Sequence, residues 1–489
     1  MKVVYWLVGI SFSIMSALFI LLFTPLGNSI VKPILENKIQ EETKLQSRLE
    51  VFSLNLSSFE FHLLLNENNS ILIKGNYSFT SQSIGTIYDI NFEEFITLQE
   101  WTQMEIDTPL HLSGTIQGDK SSIEFKGISD IASSKTNFIV NIIDLEPSSI
   151  IATINGMKIE ELLSITKQGH YGDGFVDLDI NIHNLGAKSL EGSIDTTIYD
   201  TTLDSKYITK QFGFTSLLPL TKMNVKTETQ INKNIITTKL NLDSTLLDLD
   251  VNRAVVDMDN KSLNSDYKVN LHNLDKFYFI TQRALKGSLI ADGVIKKAKS
   301  LDATLHSIIA GGKIDAILHN DDLVATATSL ETLEVLDMLY YPKIFKADIN
   351  GQLDYNLKKA SGVFEGKVSN GKFTKNEVLD LTKEYANIDM YKERFKGDID
   401  AAINQENIKS SITLNSNLSS IKTKDALLNT KTNIVKSRVD INTSGNLIEV
   451  TLTGDINSPS VEIQADELIK KEATKIITKE INKFLESFF

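Results

Sequence analysis

Apolar and polar positions alternate along most of this chain. In LIEVTLTGDINSPSVEI (447–463), Ile448, Val450, Leu452, Gly454 and Ile456 fall on one side, with Glu449, Thr451, Thr453, Asp455 and Asn457 on the other. That is the period of a strand with one dry and one wet face. The pattern recurs in FVDLDINIHNL, where Val176, Leu178, Ile180 and Ile182 oppose Asp177, Asp179, Asn181 and His183. LEGSIDTTI repeats it with Gly192, Ile194 and Ile198, and GSLIADGVI with Gly287, Leu289, Ala291, Gly293 and Ile295. Further along, Ile314 and Ala316, then Ile349, Gly351, Leu353, Tyr355 and Leu357, then Phe364, Gly366 and Val368 continue the dry side. Short turn signals separate the runs: Gly311–Gly312, Ser444–Gly445, and SNGK at Ser369–Lys372, where Asn-Gly predicts a hairpin turn. One-faced alternation with short turns predicts antiparallel sheet.

Helical spacing interrupts the strands at 157–169, 330–342 and 374–395. A charged segment over 33–50, with Leu35, Ile39, Leu45 and Leu49, predicts a short helix before the first strand at Val51. The last segment, 466–489, predicts an amphipathic helix: Ile469, Ala473, Ile476, Phe484 and Phe488 share a face and five lysines lie elsewhere. It would cover an open sheet edge, lie on a membrane or dock a partner. No word of fixed length repeats; what recurs is the strand type.

Between Lys2 and Lys32 there is no charged side chain. Val3–Phe23 is long enough to cross a bilayer core, which takes about 20 apolar residues. Tyr5 and Trp6 stand where an interfacial aromatic belt belongs, and Leu18, Phe19 and Leu22 continue the apolar run. A cleaved signal peptide has a shorter apolar core and a small-x-small site, which LLFTPLGNS lacks, so the stretch reads as an uncleaved anchor. The anchor and a short cytoplasmic tail occupy 1–32, with the bulk of the chain across the membrane. A net charge of −13 argues against nucleic acid, and the absence of cysteine excludes disulfides and thiolate metal sites.

A dry face must be covered. Two sheets packed as a sandwich, or one sheet closed as a barrel, are the ordinary solutions. No Pro/Gly/Ser-rich linker divides 51–465 into sandwich-sized pieces, and charged wet faces do not suit a barrel in lipid. The alternative is a long curved sheet, a groove, whose inner face needs an apolar occupant. The small residues Gly192, Gly287, Ala291, Gly293, Ala316, Gly351 and Gly366 either leave room for that occupant or serve curvature. Exposing the tails of a two-chain lipid costs on the order of 20 kcal/mol at about 0.8 kcal/mol per CH₂, so a continuous dry track would lower the barrier to lipid movement.

Catalytic patterns are scarce. The seven histidines form no H-x-x-x-H pair, GHYGDG (169–174) lacks the lysine of a phosphate loop, and there is no G-x-S-x-G. Asp177 and Asp179 share a face and read as solvated carboxylates before they read as a cation site. No cofactor is expected.

LDMLYYPKIFKADINGQLDYNLKKASGVFEGKVSNGKFTKN (336–376) resembles the C-terminal region of AsmA-like proteins. Tyr341–Pro342 closes a helix, Gly351–Leu353–Tyr355 and Gly362–Phe364–Gly366–Val368 form two strands, and Asn370–Gly371 follows. IEVTLTGDINSPSVEI, with Pro459, is similar to the family's closing strands. The resemblance covers the anchor and roughly 330–489; 51–329 matches only in style. It implies an N-terminal transmembrane helix in a bacterial inner membrane, a β-groove body over 51–329, an AsmA-like β region over 330–465, and a role in passing phospholipid toward the outer membrane. About 25–30 strands at ~4.8 Å spacing reach at most near 130 Å, so a shuttle, a partial bridge or an assembly of several chains is open. The alternative function is a non-enzymatic assembly or scaffold factor for outer-membrane proteins, working through exposed sheet edges.

Overall fold

The computed structural model describes residues 22–93, 109–185, 190–341, 343–375, 383, 389–443, 446–456 and 459–465. Strand takes 63% and helix 14%, which bears out the mainly β class. Among the described residues, twenty-six strands, β1 (Ser47–Leu54) to β26 (Ser460–Ala465), make an antiparallel sheet. Wherever pairing is described, a strand bonds the next strand in sequence. The chain divides into two compact units, Met1–Thr245 with Val255–Asp259, and Leu246–Ala254 with Asn260–Phe489.

In the first unit, β1 to β12 (Ile235–Ser244) run as a meander. Alternate ends of the strands are built differently. One end carries tight turns such as Asp144–Leu145, both residues at positive φ. The other carries the 3₁₀ turn Ile131–Ser133, α2 (Ile159–Ile165) and α3 (Ser205–Phe212), while α1 (Pro25–Thr43) precedes β1. The second unit, β14 (Ser262–Leu271) to β26, has the same asymmetry. α4 (Tyr278–Thr281), α5 (Thr332–Met338) and the 3₁₀ turn Met390–Lys392 all fall at one end of its strands.

β1 pairs with β2 (Ser58–Leu65) alone among the described strands, so one of its edges has no strand partner. Helix α1 runs along it. Asn28 Nδ2 donates to Leu54 O at 3.1 Å and Lys32 Nζ to Glu50 O at 3.1 Å. The Leu49 N–H donates to Glu36 Oε1 at 2.6 Å, and Ser47 Oγ donates to Glu36 O at 2.8 Å. Positions 28, 32 and 36 lie on one helical face, so the helix replaces a missing strand with side-chain partners and blocks strand addition. Leu35 and Ile39 of α1 pack on Leu49, Leu63, Leu65 and Phe92 beneath.

β-bulges recur in both units in one form. A residue at positive φ turns its N–H to an Asx side chain on the next strand. Gly156 (φ 66°) donates to Asp177 Oδ1 at 2.6 Å, Asp200 (φ 51°) to Asn224 Oδ1 at 3.1 Å, and Ser329 (φ 54°) to Asn350 Oδ1 at 2.9 Å. Each sits at a register shift, and the Asx oxygen satisfies the amide that the ladder loses there.

Several expectations change. SNGK is not a hairpin: β20 (Ser361–Phe373) runs through it, and Asn370, at φ 56°, forms a bulge with its amide on Asp348 Oδ2 at 2.7 Å. Asparagine tolerates the left-handed conformation wherever a strand needs it, and a turn is only one such place. Gly311 does lie in a turn, with Ala310 and Gly311 at φ 49° and 72°. The helix expected over 33–50 spans Pro25–Thr43; Lys44 at φ 57° ends it, and Leu49 belongs to β1. The helices expected over 157–169 and 330–342 shrink to Ile159–Ile165 and Thr332–Met338. Gly287 precedes β15 (Leu289–Lys297) and lines no strand face. Most of the helix expected over 374–395, all of 466–489, and Tyr5, Trp6, Leu18 and Phe19 lie outside the described residues; Leu22 is exposed. Among the described residues no helix is long and apolar enough to cross a membrane.

Glu36→Ala strands the fully buried Leu49 N–H. We expect a loss of about 1–3 kcal/mol in urea unfolding, accompanied by concentration-dependent self-association in sedimentation as the β1 edge opens.

Candidate functional site

Directly paired residues in an antiparallel sheet share a face, so register shows whether the separate dry sides join. In the first unit they do. Phe61, Ile73, Tyr88, Gly114, Gly127, Phe138, Ala152, Ile180 and Ile194 are successive partners from β2 to β10 (Glu191–Leu203). Val176, Leu178 and Ile182 lie on the same face, opposite Ile198, Thr196 and Gly192.

The second unit has its own row. Tyr267, Gly293, Leu305, Ala316, Ala325, Leu353, Phe364 and Ala401 follow one another from β14 to β21 (Phe395–Asn404). A parallel row runs Ile349, Val368, Gly397, Leu414, Ile421, Ile441 and Ile448, which places Val450 and Leu452 on this face as well. Leu289, Ala291, Ile314 and Tyr355 belong to it through Leu271, Ser307 and Gly362. Leu357 and Ile456 do not, because both lie one residue past the ends of their strands and Leu357 is 49% exposed.

The largest buried clusters lie at the helical end of each face, while Thr86, Tyr88 and Ala152 are buried further along it. In the first unit, Ile165 of α2 packs both on the Leu49–Phe92 cluster and on the cluster of Ala132, Met157 and Val176, so the helix bridges β2 and β9 (Gly172–His183). In the second, Met390 and Tyr391 cover Val368, Phe395 and Leu414. Away from these plugs the lining is half-buried: Leu178, Ile180, Ile182 and Ile194 in one unit, Ile314, Ala316, Leu353 and Phe364 in the other. The buried clusters draw on neighbouring strands and connecting helices, with no second described sheet laid over them. Each unit therefore presents an apolar surface closed at one end.

The small residues are not vacancies. A Cβ at Gly114 would lie 2.0 Å from Lys126 O and 2.6 Å from the Tyr88 hydroxyl, which also covers Gly127. At Gly293 it would meet Thr304 O at 1.9 Å and the Tyr267 hydroxyl at 2.9 Å, and at both Gly351 and Gly366 it would strike the Phe364 ring. Gly192 abuts Asn181 O, and Ala291 is 1% exposed. These positions let strands fold closely toward the apolar face while an aromatic ring covers the gap. Burial raises the Tyr88 and Tyr267 hydroxyls above the ordinary tyrosine pKa, so they stay neutral beside the carbonyls they cover.

The wet face pairs its charges. Six of the seven histidines stand beside a carboxylate. His306–Asp315 and His319–Asp302 (both 2.6 Å) are direct cross-strand partners, and His272–Asp248 (2.8 Å), His170–Asp173 (2.8 Å), His62–Glu50 (3.2 Å) and His111–Asp89 (3.5 Å) complete the set. Asp177 is occupied by the Gly156 bulge and by Tyr199, at 3.3 Å. Among the described residues no group of three or more His, Asp or Glu is arranged to hold a metal ion.

Phe61, Ile73, Tyr88, Phe125 and Phe138 were missed as lining residues. Their signal is present in SFEFHLLL, ILIKGNYS, SIGTIYDINF, SIEFKGIS and TNFIVNII, where the same alternation runs. No family model matches the chain, and neither a curated protein nor a solved structure does.

Gly293→Ala should cost about 1–3 kcal/mol by overpacking. Gly85→Ala, where a Cβ meets nothing within 4 Å, should stay within about 0.5 kcal/mol in the same thermal melts. The imidazoles of His306 and His319 hold Asp315 and Asp302 below the ordinary carboxylate pKa. Their contribution is present above the unfolded carboxylate pKa and is lost as pH falls through the lowered folded value. NMR titration should show Asp315 moving back toward the ordinary value in His306→Asn.

Proposed function

We propose that this is a non-enzymatic, AsmA-like envelope protein, anchored in the inner membrane by its N-terminal stretch. Its apolar β-face binds the acyl chains of phospholipid and conducts or shuttles them through the periplasm, supporting the outer membrane. The observation that carries the reading is the register. In each unit the dry sides of successive strands join into one half-buried surface, with rows such as Leu353–Phe364 and Ile180–Ile194 crossing it.

A surface of that kind suits a flexible hydrocarbon chain. Burial against it is non-directional and worth roughly 0.8 kcal/mol per CH₂, so a tail slides along a row of similar side chains without meeting a deep well. The paired charges of the opposite face suit water on the other side of the sheet. The competing role, assembling outer-membrane proteins by strand addition, needs an accessible edge. The β1 edge is taken by Asn28, Lys32 and Glu36, which weighs against that role there.

The test is photo-crosslinking in intact membranes. A benzophenone side chain at Leu353, on the apolar face, should yield phospholipid adducts by mass spectrometry, and one at the neighbouring Gln352, on the polar face, should not. Equal labelling at both positions, or no lipid at Leu353, would overturn the proposal.

A further inference from the structure

Helix α1 has a second face. Leu26 (70% exposed), Ile30 (49%) and Ile34 (62%) follow one another at four-residue spacing, and Leu22 (39%) is exposed just before the helix. The side that bonds the β1 edge carries Asn28, Lys32 and Glu36 instead. The apolar row ends abruptly. Its next member, Lys38, pairs with Glu42 at 2.7 Å and Glu41 at 3.9 Å in open solvent. From Leu26 to Ile34 the row is about 12 Å long at 1.5 Å per residue.

The strand turns beside it are apolar too. Asn28 bonds Leu54, so the first turns of α1 lie at the turn end of β1 and β2. There the β1–β2 turn exposes Leu56 (54%), and the turn between β3 (Asn69–Ser78) and β4 (Ser83–Phe92) exposes Phe79 (64%), whose ring meets that of Phe23 edge-on at 6.2 Å. The start of the helix row and the turn tips thus expose apolar side chains at the same end of β1, linked through the Phe23–Phe79 ring contact.

We propose that Leu22, Leu26, Ile30, Ile34, Leu56 and Phe79 rest on a lipid bilayer at its headgroup–acyl boundary. The occupant follows from where the patch sits in the chain. It begins where the twenty-one preceding residues end, and from Val3 through Val31 there is no charged side chain, so an apolar run longer than one bilayer crossing leads straight into it. An interfacial helix buries its apolar face about 5–10 Å into that boundary, and the change from Ile34 to Lys38 marks where α1 leaves it. Because α1 is fixed to the β1 edge, the first strands of the apolar sheet are then held beside the membrane. This rests on the membrane-anchored reading above and adds the orientation of the first unit against the bilayer.

The chain contains no cysteine, so single labels are clean. Full-length protein carrying Leu18→Cys, Ile30→Cys, Phe79→Cys or Lys38→Cys, each with an environment-sensitive fluorophore, is reconstituted into vesicles of phosphatidylethanolamine and phosphatidylglycerol. Nitroxide-labelled lipid is the quencher. Quenching and blue-shifted emission at Ile30 and Phe79, with a water-like, unquenched label at Lys38, is the expected result. Quenching at Leu18 without quenching at Ile30 and Phe79 would overturn the interfacial contact and leave the anchor standing. Loss of quenching at Leu18 as well would remove the anchor too. Blue-shifted emission at Ile30 that nitroxide lipid does not quench would also overturn the proposal, and would assign the row to a second copy or to the chain's own first residues.

Discussion

Everything in this protein depends on strand-to-strand register. A one-residue slip anywhere would carry a strand's apolar side chains to the wet face. Instead the pairing keeps Phe61 with Ile73, Ile73 with Tyr88, and so on to Ile194, and in the second unit Tyr267 to Ala401. Where register does shift, as at Gly156, Asp200 and Ser329, a residue at positive φ absorbs the extra position and an Asx oxygen takes its amide. Each irregularity is thus local, and the apolar side stays apolar beyond it.

The same face is shaped by what it leaves out. Gly114, Gly127, Gly293, Gly351 and Gly366 lie where neighbouring backbone or an aromatic ring leaves no space for a Cβ. Tyr88, Tyr267 and Phe364 lie over these glycines, trading side-chain packing for close approach of strands. The surface that results is lined by half-buried side chains and closed by helices at one end only. Such a surface is what the proposed lipid-binding role requires.

The two kinds of strand end divide the labour. Helices α1 and α2 and the Met390–Lys392 turn supply the buried cores, because a single sheet cannot bury its own face. The opposite ends are left to short turns. Near α1 those turns carry Leu56 and Phe79, so the end without a core still has an apolar surface to cover. On the far side of the sheet, hydrogen-bonded polar pairs such as His306–Asp315 keep the wet face compatible with water; being exposed, they add little to stability.

Strand alternation was legible residue by residue. Val176 to Ile182, Ile349 to Tyr355 and Val450 to Leu452 stand on the faces that their spacing assigned them, because a period of two survives any antiparallel partner. The mainly β class, the antiparallel pairing and the turn at Gly311 were available on the same grounds. Other features needed tertiary structure. Asn370–Gly371 reads identically as a hairpin turn or a bulge, since both need positive φ, and only the partner strands decide. Glycines on the dry side read as room for an occupant until Phe364 and Tyr88 are placed over them. The guard on the β1 edge was hidden altogether: Asn28, Lys32 and Glu36 look like an ordinary polar helical face until β1 is set alongside. Local spacing determines which way a side chain points, but what it meets there depends on chain that is far away in sequence.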